Sequence, residues 1–155
     1  MFIITFNIGM ASSSNPQARV VRYFKVPAER VFDAWLSPEQ IGQWMFGPNI
    51  RDEEIISLKI QPRIGGAFAF VVHRDGKQLD HVGEYLELQR PHRLAFTWKV
   101  IQGGGEPSRV FIDIVPKPDG CELTLVHEMA PEWADFVKRS EEGWTKMLGA
   151  LAKVL

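Results

Sequence analysis

Residues Arg19 to Pro48 read RVVRYFKVPAERVFDAWLSPEQIGQWMFGP, and the order of signals in this stretch decides the fold. RVVRYFKV is rich in β-branched and aromatic residues, Val20, Phe24 and Val26 share one face, and Pro27 ends the run, which predicts a first strand. After Pro27, which suits a helix start, Val31, Phe32, Trp35 and Leu36 recur at helical spacing. Ser37 and Pro38 form an N-cap and N1 pair opening a second short helix, SPEQIGQW, which gives out by Gly47-Pro48. One strand is thus followed at once by two short helices.

Downstream, from about Asp52 to Met129, the hydrophobic period becomes two, as in an antiparallel meander. Turn residues punctuate it at Arg63 to Gly66, Asp75-Gly76, Arg90-Pro91, GGGEP at 103–107 and PKPDG at 116–120. The predicted strands are roughly 53–60, 66–73, 79–89, 93–101, 108–116 and 120–129. Pro131 then opens a segment in which Trp133, Phe136, Val137, Trp144, Met147, Leu148, Leu151 and Leu155 recur at steps of three and four. This predicts an amphipathic helix of about six turns. The expected architecture is α+β: a curved antiparallel sheet of about seven strands, two short helices after the first, and a long C-terminal helix packed across one face.

Upstream lies MFIITFNIGM, the one stretch that suggests export or membrane insertion. It has no Lys or Arg, is broken at Asn7 and Gly9, and falls short of the about 20 apolar residues of a membrane span. Phe2, Ile4, Phe6 and Ile8 would share one face of an extended strand, which with exposed sheet edges leaves room for a homodimer. Met10 followed by ASSSNPQ reads as an ordinary amino terminus, so either Met1 or Met10 suits as the start. Residues 1–17 are expected to be a flexible extension and 18–155 the folded domain.

The composition narrows the function classes. The 155 residues carry 18 Lys and Arg against 19 Asp and Glu, which argues against a nucleic-acid groove. The single cysteine, Cys121, excludes an internal disulfide and fits a reducing, cytoplasmic setting. The four histidines, 73, 81, 92 and 127, have no paired ligand spacing, so no metal site is expected, and no motif calls for a cofactor. The triple glycine at 103–105 opens no helix and lacks the amide cradle of a phosphate loop. What stands out is 10 Phe, 5 Trp and 2 Tyr in one small domain.

RYFKVPAERVFDAWLSPEQIGQWMFGP, PRIGGAFAF, GEYLELQRPHRLAFTW, LTLVHEMAP and EEGWTKMLGALAKVL, in that order, resemble the START-like helix-grip superfamily (SRPBCC). The branch they resemble is the one related to the C-terminal domain of the activator of heat-shock-protein-90 ATPase. The likeness runs from about Arg19 to the end. It implies a hollow between helix and sheet that members fill with different apolar ligands, a few members being cyclases or other enzymes, and it implies no catalytic residue here. One departure is Met45-Phe46 before Gly47-Pro48, where the family usually carries a second aromatic next to Trp44; this is expected to reshape the pocket mouth.

Alternation singles out the polar residues on apolar strand faces, since each needs a partner or a purpose. Arg22 shares a face with Val20, Phe24 and Val26; Glu84 with Val82, Leu86 and Leu88; His127 with Cys121, Leu123, Leu125 and Met129. The simpler reading of Arg22 and Glu84 is an ion pair or hydrogen bond at the sheet edge, and of His127 a cap at the junction into the last helix. Tyr85 falls on the face opposite Glu84 and would enter only through a bulge. Phe68, Phe70, Phe96 and Trp98, with Trp144 from the helix and Trp44 before the sheet, are expected to line a cavity rather than a plain core.

Three functions follow as expectations. The first is a carrier or sensor that encloses a small apolar or aromatic molecule between the last helix and the sheet, with Arg22, Glu84 or His127 reading a polar end. The second is a cyclase- or hydrolase-type enzyme in the same cavity with His127 as general acid or base. The third is a chaperone-binding module of the activator kind.

Overall fold

The computed structural model describes residues 15–155. The Phe2 to Ile8 strip and the choice between Met1 and Met10 lie outside the described residues. The order of elements is β1 (Gln17–Phe24), α1 (Ala28–Ala34), α2 (Pro38–Trp44), β2 (Glu54–Ile60), β3 (Ala67–Arg74), β4 (Lys77–Gln89), β5 (Arg93–Val100), β6 (Ser108–Lys117), β7 (Gly120–Glu128) and α3 (Val137–Val154). Short 3-10 turns occupy Ile101–Gly103 and Pro131–Phe136. Among the described residues no helix is long and apolar enough to cross a membrane.

The seven strands form one antiparallel sheet in the order β1-β7-β6-β5-β4-β3-β2. The first strand crosses over to pair with the last, Gln17 opposite Glu128 and Phe24 opposite Cys121, and the rest is a meander. Register shifts between Ile55 and Ser57 and between Tyr85 and Glu87 bend the sheet, as extra residues in a ladder do. Helix α2 starts as its residues predict: Pro38 is in the first turn and the Ser37 hydroxyl accepts the Gln40 amide at 3.3 Å.

Helix α3 lies against β1 and α2 on the inner face and buries Trp144, Leu148 and Leu151. It is shorter than its periodicity predicts. The first two turns of the expected helix, Pro131–Phe136, are 3-10, where residues three apart eclipse. Trp133 and Phe136 therefore stand on one side with ring centroids 4.9 Å apart and are 36% and 42% exposed, off the buried stripe they were expected to join.

Candidate functional site

The inner face of the sheet divides into a filled part and an open part. In the filled part Phe68 and Phe70 of β3, Tyr85 of β4 and Phe96 of β5 meet Trp35, Trp44, Met45 and Phe46 from α1, α2 and the turn after them, all buried. Trp35 packs edge-on to Trp44 at 4.7 Å, and Phe68 is edge-on to Phe96 at 5.6 Å, both favoured aromatic geometries. The Trp44 indole N–H donates to the Ala34 carbonyl at 3.2 Å, so even its polar atom is spent within the core. Only a void of about 10 Å³ remains between these rings, too small for a ligand. Phe68, Phe70, Phe96 and Trp44 are core, which corrects the expectation that they line a cavity. Met45 and Phe46 are buried in the same part, so the departure they represent does not shape a pocket mouth.

The open part is a cleft of about 350 Å³ at the end of the sheet where β5 leaves and β7 runs toward α3. It is lined by Trp98 of β5, Ser108 of β6, His127 of β7, Met129, Trp133 and Phe136 of the segment leading into α3, and Ser140 of α3. Gly103 and Gly104 line the rim, and Gly104 has a φ of 69°, a conformation glycine adopts without strain. Because these residues carry no side chains, the loop closes the rim without filling the space. Lys99, Glu106 and Arg139 bring both signs of charge to its lining.

His127 is the centre of the polar network. It is buried, and three side chains bond to its ring: Ser108 Oγ at 2.7 Å from Nε2, Ser140 Oγ at 3.2 Å from Nδ1, and Trp144 Nε1 at 3.1 Å from Nδ1. An indole N–H can only donate, so Nδ1 must be the unprotonated, accepting nitrogen. The ring proton is then on Nε2, which donates to Ser108 Oγ, and the Ser108 hydroxyl in turn donates to the Trp98 carbonyl at 3.0 Å. Burial holds the His127 pKa down at about 4, so the ring is neutral near pH 7. Cap or not, this histidine is fully engaged by its neighbours.

Arg22 sits elsewhere. It is half-buried on the inner face of β1, over the Phe24 ring at 6.0 Å and beside Gly149 of α3, and its Nε has no hydrogen-bond partner among the described residues. It does not line the cleft. Glu84 is exposed on the outer face, so its expected inner-face position is wrong by one residue. The inner residues of β4 are instead His81, Gly83 and Tyr85, and the bulge that follows returns Leu88 to the inside. Gly83 is there because the Phe68 ring, its cross-strand partner, covers it; a Cβ would run into that ring and the Thr97 carbonyl. A glycine and a histidine on the inner face, with Val82 and Leu86 outside, make the hydrophobic alternation run out of phase with the fold.

His81 is the second buried histidine. Its Nδ1 donates to the Phe70 carbonyl at 3.1 Å, and its ring packs on Phe46 at 4.5 Å and Trp98 at 5.6 Å. Desolvation again pushes its pKa down to about 4. Below it, buried Glu53 accepts from Arg51 at 2.9 Å, Arg74 at 2.9 Å and the Gly47 amide at 2.7 Å, tying the turn after α2 to β3. Among the described residues no three His, Cys, Asp or Glu side chains stand together as a metal site would require.

Residues 25–155 match the family model described as activator of Hsp90 ATPase homolog 1-like protein. The chain belongs to that family. Its helix-grip fold is of the START/SRPBCC type, which includes ligand-binding and polyketide cyclase-like proteins. Among solved structures, a Chromobacterium violaceum protein is similar to it at 26% identity over 89% of this chain and 95% of its own, with a TM-score of 0.79. A Nitrosomonas europaea protein has 20% identity over 90% and 94%, with a TM-score of 0.77. An AHSA1-like protein from Aeromonas hydrophila, solved by solution NMR, has 16% identity over 88% and 90%, with a TM-score of 0.72. No curated protein matches the chain. At such identities the likeness to the last two carries the fold, and the cleft of this Hsp90-activator-like chain is read from its own residues.

Two of the nine expected site residues, Trp98 and His127, line the cleft, and Trp144 stands behind its floor. Ser108, Met129, Trp133, Phe136 and Ser140 are lining residues that the sequence reading missed. Trp133 and Phe136 carried a signal, two large aromatics three apart directly after Pro131, but the step of three was read as part of an α-helical stripe.

Proposed function

We propose that this chain is a carrier or sensor that binds a small apolar or aromatic molecule in the cleft between the end of the sheet and the segment leading into α3. The observation that carries this reading is the cleft itself: about 350 Å³, walled by Trp98, Met129, Trp133 and Phe136, with a few convergent polar groups inside. That is the ordinary make-up of a small-molecule site. Two of its walls are exposed aromatic side chains whose apolar surface a ligand would cover, at about 25 cal/mol for each Å² removed from water.

The wiring of His127 favours this reading over an enzyme that uses the histidine as general base. A base needs a free lone pair, and the single Nδ1 lone pair accepts the Trp144 indole N–H while Nε2 carries the proton. Ser108 is likewise no activated nucleophile, because the histidine nitrogen facing it is a donor. Titration of flavonoids, fatty acids and polyketide-like aromatics against tryptophan fluorescence and melting temperature tests the proposal. At least one class should give a saturable change that Trp133→Ala weakens by about fivefold or more; no response to any class would remove it.

A further inference from the structure

The Trp144 indole fixes more than the tautomer of His127. Nδ1 has a single lone pair, which accepts the Trp144 N–H at 3.1 Å, so Ser140, the rival for that lone pair at 3.2 Å, keeps its proton for another acceptor. Ser108, by contrast, has given its proton to the Trp98 carbonyl at 3.0 Å. The indoles of the lining are also unspent. Trp44 and Trp144 donate within the fold, whereas the N–H groups of Trp98 and Trp133 have no partner among the described residues, and that of half-buried Trp98 is not sealed from water. Lys99 and Arg139 add cations to the lining, and neither belongs to an ion pair among the described residues. The Arg139 guanidinium stands over the Phe136 ring at 5.9 Å. Against these donors the lining side chains offer the lone pairs of Ser108 and Ser140 and the carboxylate of Glu106.

We infer that the cleft selects an aromatic molecule bearing a carboxylate. That group is acceptor-only, with about four lone-pair sites, and it suits a lining whose uncommitted side chains mostly donate. Hydrogen bonds to an ionised acceptor are roughly twice as strong as neutral ones, which offsets the water the carboxylate gives up. A bare hydrocarbon would fill the same space and leave the Ser140 proton and both indoles without partners. An ammonium group would set donors against donors and meet Lys99 and Arg139, with Glu106 alone to receive it. This deepens the ligand-binding reading above and rests on it.

Three probes built on one ring system test the inference apart from the reading it rests on: naphthalene, 2-naphthoate and 2-naphthylmethylammonium, each titrated into the full chain near pH 7. The expected result is saturable binding of naphthalene, with 2-naphthoate about tenfold tighter and the ammonium compound no tighter than naphthalene itself. Ser140→Ala removes the uncommitted proton and Arg139→Gln removes a cation, and each should shrink the naphthoate-to-naphthalene ratio severalfold. Naphthalene bound as tightly as the naphthoate, the ammonium compound bound most tightly, or a ratio that survives both substitutions overturns the inference and spares the cleft as a site. Absence of binding by all three overturns both.

Discussion

At one end of the inner sheet face Trp35, Met45, Phe68, Phe70, Tyr85 and Phe96 close to a void of about 10 Å³. At the other, Trp98, Met129, Trp133 and Phe136 stand around about 350 Å³. Both ends are aromatic, so composition does not separate them; what covers each end does. Over the filled end α1 and α2 lower four bulky side chains, Trp35, Trp44, Met45 and Phe46, onto the sheet. Over the open end the chain supplies a glycine-rich turn with nothing to insert and a 3-10 segment that aims its aromatics sideways. Trp98 belongs to both, touching Phe96 at 6.2 Å on one side and lining the cleft on the other.

The comparison breaks most readily by cutting into the filled end. Phe96→Ala should cost about 3–5 kcal/mol of unfolding free energy in a urea titration, through lost burial and the cavity left among rings that are themselves fixed. Gly83→Ala belongs in the same class, because the added methyl meets the Phe68 ring and a backbone carbonyl of β5, neither of which can yield without opening the pair of strands. A cost under about 1 kcal/mol for both variants would mean the filled end is not the rigid half of the molecule.

The two buried histidines sharpen the comparison through pH, one serving each end. Both have folded-state pKa values near 4 against an ordinary value of 6.5, and burial is the first cause for each. Between those values the unfolded chain takes a proton that the folded chain refuses, so stability is full above about pH 6.5 and falls as pH drops toward 4. At pH 5 the loss should be about 2 kcal/mol for each histidine. Urea unfolding at pH 7 and pH 5 reads it directly, and His81→Gln and His127→Gln should each remove about half of the difference. Should His127→Gln remove nothing, water in the cleft already solvates that ring, and the open end is wetter than its wall of aromatics implies.

Much of this molecule was legible in its sequence, and the exceptions share a cause. The strand, the two helices, the meander and the last helix could be placed because their periods are long and their breaks are chemical: Pro27, Ser37-Pro38, Asp75-Gly76 and Pro131. Glu84 was misplaced because the inner face of β4 reads His81, Gly83, Tyr85, and the glycine's apolar cover comes from Phe68 on another strand. No pattern within β4 contains that fact. The cleft walls were missed for a similar reason: Trp133 and Phe136 satisfy a 3.6-residue repeat as well as a 3-residue one, and only the backbone decides which. His127 was found by alternation, yet its tautomer depends on Trp144, 17 residues away on α3, and on Ser108, 19 residues back on β6.

The smallest expected effect is also the most telling about the open end. Trp133 and Phe136 pack mainly on each other, and Arg139 adds a cation over the Phe136 ring at 5.9 Å. Both are partly in water already, so removing either forfeits little burial that the folded chain had gained. Trp133→Ala and Phe136→Ala should therefore each lower the unfolding free energy by less than about 1 kcal/mol, several times less than Phe96→Ala. The same two substitutions should still weaken naphthalene binding by about fivefold or more, since a ligand is what completes their burial. That split, affinity lost with stability kept, is what a wall held open for an occupant would give. Large destabilisation by Trp133→Ala would instead make the aromatic pair part of the core, and the two ends would then differ only in degree.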